Sequence, residues 1–299
     1  MSNLTYMDLS YNGLHGALPT ELGRINNLEA LLLRNNEWSG LLPAELAQLN
    51  ANGVGQLAEL SLANNSLSGT LPSQLGLHSS SLLLVDMSSN RLSGSVPPEL
   101  GELTALQVLY LRSNELSGTL PPSLALGGAA GPSAIRYLEI GQNARLSGTL
   151  PAAAEGRGLT AMHTMHAHGC RLSGTLPTEL GLATELRLLR LNDNAISGSL
   201  PSQLGQLRSI ETIDVYANPL AGDMPSQMAQ LLNLRLLYVP NEQLLPLRMH
   251  FCQHRLPSLG KYSYRLVREE FHRFASAVCP EPYDTLEAFG TLAELSGDV

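Results

Sequence analysis

Leu106-Gln-Val-Leu109-Tyr-Leu111-Arg-Ser-Asn114-Glu-Leu116-Ser-Gly118-Thr-Leu120-Pro121 decides how this chain folds. Leu109, Tyr110 and Leu111 alternate with the period of a β-strand, so the two leucines share one face and Tyr110 takes the other. Counted from Leu106, the apolar residues fall at positions 1, 4 and 6. So short a strand cannot bury its own leucines; it needs a like neighbour on each side. Asn114, at position 9, carries a short amide that both donates and accepts, and so can satisfy backbone groups that stacking removes from water. Gly118, at position 13, suits a tight turn or a close approach between coils. Pro121 ends strand pairing on the convex side and starts a short helical or 3₁₀ return.

The stretch recurs along most of the chain. Leu-Ser-Gly-Thr-Leu-Pro stands at residues 67–72, 116–121, 146–151 and 172–177. Near copies occupy 92–97 and 196–201, and looser ones 14–19, 38–43 and 220–225. Units open at Leu4, Leu28, Leu57, Leu82, Leu106, Ile135, Met162, Leu186, Ile210 and Leu234, with steps of 24, 29, 25, 24, 29, 27, 24, 24 and 24 residues. That makes nine full units and a degenerate tenth. Position 9 is Asn in eight of the nine: Asn12, Asn36, Asn65, Asn90, Asn114, Asn143, Asn194 and Asn218, with Cys170 in the seventh. The surplus residues fall at 49–56 and 126–134, with smaller additions near 78–81 and 144–158, and read as surface loops. Leu126-Gly-Gly-Ala-Ala-Gly131 is no phosphate loop, because it runs into a strand and lacks the Lys-Ser/Thr.

The L-x-x-L-x-L-x-x-N-x-L-S-G-x-L-P unit, 24 residues in its shortest spacing, resembles the plant-specific subclass of the leucine-rich repeat family, over about residues 3–239. The nearest likeness is to receptor-like kinase ectodomains and polygalacturonase-inhibiting proteins. The resemblance implies an α/β repeat solenoid: a curved array with a parallel β-sheet on the concave face and short helical or 3₁₀ returns on the convex side. Cys is an accepted alternative to Asn in the pattern, which makes Cys170 structural.

Two regions follow: a solenoid over residues 1–239 and a C-terminal cap over 240–299. All four Phe lie after residue 250, and Leu266, Val267, Phe271, Phe274 and Val278 have helical spacing. Residues 262–278 are therefore expected to form an amphipathic helix covering the last repeat, followed by a tail. Only Met1, Ser2 and Asn3 precede Leu4, where plant-type extracellular members carry a cysteine-containing cap. Truncation is the favoured explanation, self-association through the uncapped first unit the second, and tolerated exposure the third.

Composition bounds the partners. Apolar residues make up 43% and charged ones 15%, which excludes a disordered chain. No run reaches membrane-spanning length. The net charge is −8, and the 17 Arg and one Lys form no basic patch, so neither nucleic acid nor an anionic membrane is the expected partner. The start has no secretory signal, and three cysteines are too few for a disulfide framework, although a Cys252–Cys279 bridge stays open. These features favour the cytoplasm; a truncated N-terminus would instead allow an extracellular chain. Asn3-Leu-Thr5 and Asn64-Asn-Ser66 match the N-glycosylation pattern, a weak pointer to secretion.

Positions 3, 5, 7 and 8 point to the concave face. They gather Tyr110, Arg112, Tyr137, Glu139, His166, His168 and Arg190 on four neighbouring strands, about 4.8 Å apart. Tyr and Arg dominate interface hot spots, and this cluster is the expected site for a protein or peptide partner. An ordinary solvated surface is the alternative. His166 and His168, two apart on a strand, share a face and with Glu139 could chelate a metal, but strand histidines are more often solvated or hydrogen-bonded. His250, Cys252, His254 and Cys279 fit no zinc-finger spacing, and cap packing is the simpler reading. No metal and no cofactor is assigned.

The expected function is a non-catalytic interaction scaffold binding through the concave face. The alternative is a fragment of a cell-surface receptor ectodomain or secreted inhibitor. A metal-dependent enzyme at His166 and His168 is the remote third, since no nucleophile elbow, Ser/His/Asp arrangement or general acid pair accompanies them.

Overall fold

The computed structural model describes residues 3–25, 27–49, 57–78, 81–126, 134–151 and 159–240. The surplus residues of most loops fall outside this set. So do residues 241–299, and with them the expected cap helix, the tail, the Cys252–Cys279 pair and the His250/His254 cluster.

Ten three-residue strands, from Tyr6–Asp8 to Leu236–Tyr238, form one parallel sheet in strict chain order. The expected register holds at every step: Leu109 faces Val85 on one side and Leu138 on the other. In the fifth unit Leu106, Leu109, Leu111 and Leu116 are fully buried, and Leu120 and Leu124 nearly so. Each such side chain contributes about 1.5–3 kcal/mol relative to exposure. The partners it buries against lie in its own coil and in the next, so stability accrues unit by unit along the stack.

The structure adds a second sheet that the sequence reading did not foresee. The Leu-Ser-Gly-Thr segments are strands, from His15–Ala17 to Ala195–Ser197, eight in all and again parallel and sequential. Their register slips by two positions per step: Gly94 faces Leu116, and Gly118 faces Leu146. The slip sets each Thr over the Gly of the next unit. Gly148 has φ +86°, and a Cβ there would stand 2.6 Å from Thr119 Cγ2, so only Gly meets both demands. Ser147 and Ser173 cross-link the strands by donating hydroxyl hydrogen bonds to the carbonyls of Gly118 and Gly148.

Pro then opens the convex return as expected. Pro177, Pro201 and Pro225 sit extended at φ −61° to −70°, and each carbonyl accepts the N–H three residues on, starting a five-residue 3₁₀ helix. The fifth unit closes with one α-helical turn, Pro122–Leu126. Neighbouring returns touch backbone to backbone: a Cβ on Gly205 would lie 2.5 Å from the carbonyl oxygen of Gln227.

The asparagines tie the coils together. Asn143 Oδ1 accepts the N–H of Leu116 in the preceding unit at 3.0 Å. Its Nδ2 donates to the carbonyls of Leu111, Ile140 and Gly141. Asn36, Asn65, Asn90, Asn114, Asn194 and Asn218 repeat this pattern. Asn12, in the first unit, bonds only the carbonyls of Leu9 and Ser10. The residue before each Asn is left-handed, at φ +52° to +57° even for Ser113, Asp193 and Ala217. That conformation costs an L-residue about 1–2 kcal/mol, which the buried amide bonds offset.

Cys170 breaks the ladder, and two neighbours compensate. Its thiol reaches the carbonyls of Ile140 and His168, at 3.6 Å, meets the backbone of Asn143, and supplies no oxygen acceptor. The N–H it would have to satisfy is that of Leu146. One extra residue, Ala144, forms a turn there, and Leu146 N–H bonds the carbonyl of Asn143 at 2.9 Å instead. The left-handed residue before Cys170 is Gly169, which removes the strain that the missing amide would have offset.

Candidate functional site

Strand pairing places position 5 of successive units in one continuous row. Asp86, Tyr110, Glu139, His166, Arg190 and Asp214 are direct neighbours in that order. Between them the inward leucines anchor each strand, so the spacing along the row is fixed by backbone hydrogen bonds. Arg112 and His168 stand two residues beyond the ends of the strands Val108–Tyr110 and Thr164–His166, at position 7.

Glu139 is the electrostatic centre of the row. One carboxylate oxygen lies 3.5 Å from His166 Nδ1 and the other 3.7 Å from Arg112 Nε. The hydrogen bond from His166 holds the Glu139 carboxyl below the usual range, against the opposing effect of burial. Glu139 is thus ionised at neutral pH and gives His166 a fixed partner. Tyr110 is half-buried beside Glu139 and Asp86; burial first, then those two carboxylates, push its phenol pKa up, so it stays a neutral hydroxyl. At the far end burial raises the Asp214 carboxyl, despite the hydrogen bond it takes from Tyr216 N–H and the nearby Arg190.

His168 lies against the bare backbone of Gly141. A Cβ at that residue would stand 2.6 Å from His168 Nδ1, so the glycine makes the seat for the ring. Burial, then the nearby His166 and Arg190, hold the His168 pKa below its ordinary value. The two imidazoles meet edge to face with centroids 6.4 Å apart. His166 Nε2 and His168 Nδ1 are both buried without a hydrogen-bond partner, so packing, with Glu139, sets the rings. Among the described residues no group of three His, Cys, Asp or Glu side chains could hold a metal ion.

Tyr137, at position 3, lies near enough to Tyr110 to help raise its phenol pKa. It stacks on His163 of the next strand, with centroids 5.8 Å apart and planes 22° from parallel, at the edge of the row. His163 in turn bonds the carbonyl of Ala161 through Nδ1. The sequence reading singled out neither His163 nor Gly141. An aromatic at position 3 beside one at position 2 of the next unit would have flagged His163. A Gly at position 7 beside a bulky residue at position 7 of the next unit would have flagged Gly141. Asp86 and Asp214, which extend the row at both ends, were visible at position 5 but were left out of the patch.

A family model described as Leucine Rich Repeat matches residues 3–25, 56–77, 81–103, 105–126 and 185–207. These are units one, three, four, five and eight; the others show their kinship by pairing in the same sheets. No curated protein matches the chain. Among solved structures it is similar to the plant peptide hormone receptor RGFR1, solved in complex with RGF2, at 36% identity and a TM-score of 0.69 over 79% of this chain and 36% of that one. It is also similar to the ectodomain of the Arabidopsis receptor kinase HAESA, solved with an IDA peptide hormone ligand, at 26% identity and a TM-score of 0.70 over 80% of this chain and 38% of that one. A plant ice-binding protein matches at 27% identity and a TM-score of 0.54, over 73% of this chain and 74% of that one. The chain spans little more than a third of the length of the two receptors. Repeats, register and likeness agree: the chain is a leucine-rich repeat protein of the plant-type form, resembling receptor kinase ectodomains.

Proposed function

We propose that the chain is a non-catalytic recognition scaffold that binds a peptide or protein segment across the concave strands of units five to eight. The observation that carries this reading is the registered row from Tyr110 to Arg190, with Arg112 and His168 beside it. Neutral phenol, carboxylate, imidazole and guanidinium stand about 4.8 Å apart on a backbone that cannot shift them. A ligand meeting this face finds its polar contacts already ordered and loses less conformational entropy in binding. Two of the similar proteins were solved with peptide hormones, which supports a peptide as ligand. The likeness to an ectodomain supports an extracellular location and gives no support to the cytoplasmic one favoured on the sequence.

The test is a peptide selected on the immobilised chain from a displayed random library, with affinity then measured by calorimetry. Tyr110→Ala and Arg190→Ala should each weaken binding about tenfold or more, the loss of one hot-spot side chain, while leaving the circular dichroism unchanged. Equal affinities for wild type and both variants would remove the row from the binding site.

A further inference from the structure

The two glycosylation patterns, Asn3-Leu-Thr5 and Asn64-Asn-Ser66, take no part in the row from Tyr110 to Arg190. The repeat explains why no ladder asparagine belongs to one. Two residues after each ladder Asn comes an apolar residue of the outer strand, or Arg145, and never a hydroxyl. Beside the ladder, the pattern can stand with Asn at position 8 and Ser or Thr at position 10. Position 8 is Asn at Asn35, Asn64 and, in the degenerate tenth unit, Asn241; position 10 is then Glu37, Ser66 or Gln243, so only unit three satisfies both.

The fold treats the two adjacent asparagines of that unit in opposite ways. Asn65 is part of the ladder, with its Oδ1 on Trp38 N–H and its Nδ2 on three carbonyls. Asn64 is exposed, at φ +54°, on the turn between the inner strand Glu59–Ser61 and the outer strand Ser66–Thr70. Its one side-chain bond runs from Nδ2 to Asn35 Oδ1, 3.1 Å away on the neighbouring turn.

We propose that Asn64 is an acceptor for an N-linked glycan, an inference that rests on the extracellular reading. Nδ2 forms a bond to the anomeric carbon of an oligosaccharide carried on a polyprenyl diphosphate. The carbon–oxygen bond to the diphosphate breaks, the diphosphate leaves with the electron pair, and Nδ2 gives up one proton. The bond to Asn35 Oδ1 engages one of the two Nδ2 hydrogens. The sugar stands on unit three, two strand steps or about 10 Å across the sheet from the unit of Tyr110, and three positions further along its own unit.

The test directs the full chain, behind an added leader peptide, through the secretory route of insect cells. Secreted protein is treated with peptide N-glycosidase in heavy-oxygen water, which converts each glycosylated Asn to labelled Asp, and is mapped by mass spectrometry. The expected result is label at Asn64 in the majority of chains, lost in Ser66→Ala and kept in Ser66→Thr. Secreted wild-type chains with Asn64 unlabelled, or label that survives Ser66→Ala, would overturn the proposal. The Asn3 peptide is read separately in the same digest. Peptide affinity reports the concave row alone, so failure of one reading is distinguishable from failure of the other.

Discussion

Alanine substitutions at Asn143 and Cys170, made one at a time, separate the ladder asparagine from the cysteine that replaces it. Asn143 is completely buried. Asn143→Ala strands the Leu116 N–H, whose acceptor it is, at a cost of about 1–3 kcal/mol, and removes three donated bonds besides. The Gly141 carbonyl keeps the Ser113 N–H, which limits the further loss. The expected destabilisation is about 2–4 kcal/mol. Cys170→Ala removes two long thiol contacts and a weak one to the Asn143 backbone, and leaves the Leu146 N–H held by the Asn143 carbonyl. It should cost about 1 kcal/mol or less. Urea unfolding followed by circular dichroism gives the two stabilities, and hydrogen exchange at the amides of Leu116 and Leu146 locates the effect. The Leu116 amide should exchange faster in Asn143→Ala, and the Leu146 amide should be unchanged in Cys170→Ala. A double-mutant cycle sharpens the test. Deleting Ala144 alone strands the Leu146 N–H, and Cys170→Asn alone buries an acceptor with nothing to accept. Together they rebuild the ordinary coil, so the pair should recover about 1–3 kcal/mol relative to the sum of the two changes. Equal costs for Asn143→Ala and Cys170→Ala, or strict additivity in the cycle, would refute the compensation.

Gly205→Ala forces a methyl to within 2.5 Å of the Gln227 carbonyl oxygen and should destabilise the array by about 1–3 kcal/mol, read as a lower urea midpoint. Gly141→Ala unseats the His168 ring and should weaken peptide binding more than it lowers stability, measured by calorimetry and thermal melting together. The folded state holds His168 below its ordinary pKa, so the unfolded chain takes that proton first. This contribution is full above about pH 6.5 and is lost as pH falls through the folded value; urea midpoints from pH 7.5 to 5 should fall, with a shallower slope in His168→Gln. Leu109→Ala, at a fully buried position, should cost about 2–5 kcal/mol and lower the melting temperature.

The repeat was legible because its cause is local and recurrent. Leu106, Leu109 and Leu111 announce one buried strand edge, and the copies from Leu4 to Leu234 announce that each edge has a neighbour. The ladder role of Asn114 was legible too, since a short amide at a fixed place in a repeating turn has few other uses. The outer sheet was not. Leu116-Ser-Gly118-Thr carries a glycine, which reads as a turn, and only the two-residue slip between units shows that Gly118 lies within a strand opposite Leu146. In the candidate site the sequence placed Tyr110, Glu139, His166 and Arg190 on one face, because strand alternation alone dictates it. It did not show that Glu139 is divided between His166 and Arg112, that Tyr137 stacks on His163, or that Gly141 seats His168.

The sequence by itself determined the period, the buried edge, the inner strand register and the residues of the concave face, all of which follow from spacing along the chain. Tertiary structure alone decided which polar groups meet, how the outer strands stagger, and how Ala144 and Gly169 make room for Cys170. Those outcomes depend on contacts between residues some 20 to 30 positions apart in adjoining coils, as in the bond from Leu116 N–H to Asn143, whose side-chain directions no single unit specifies.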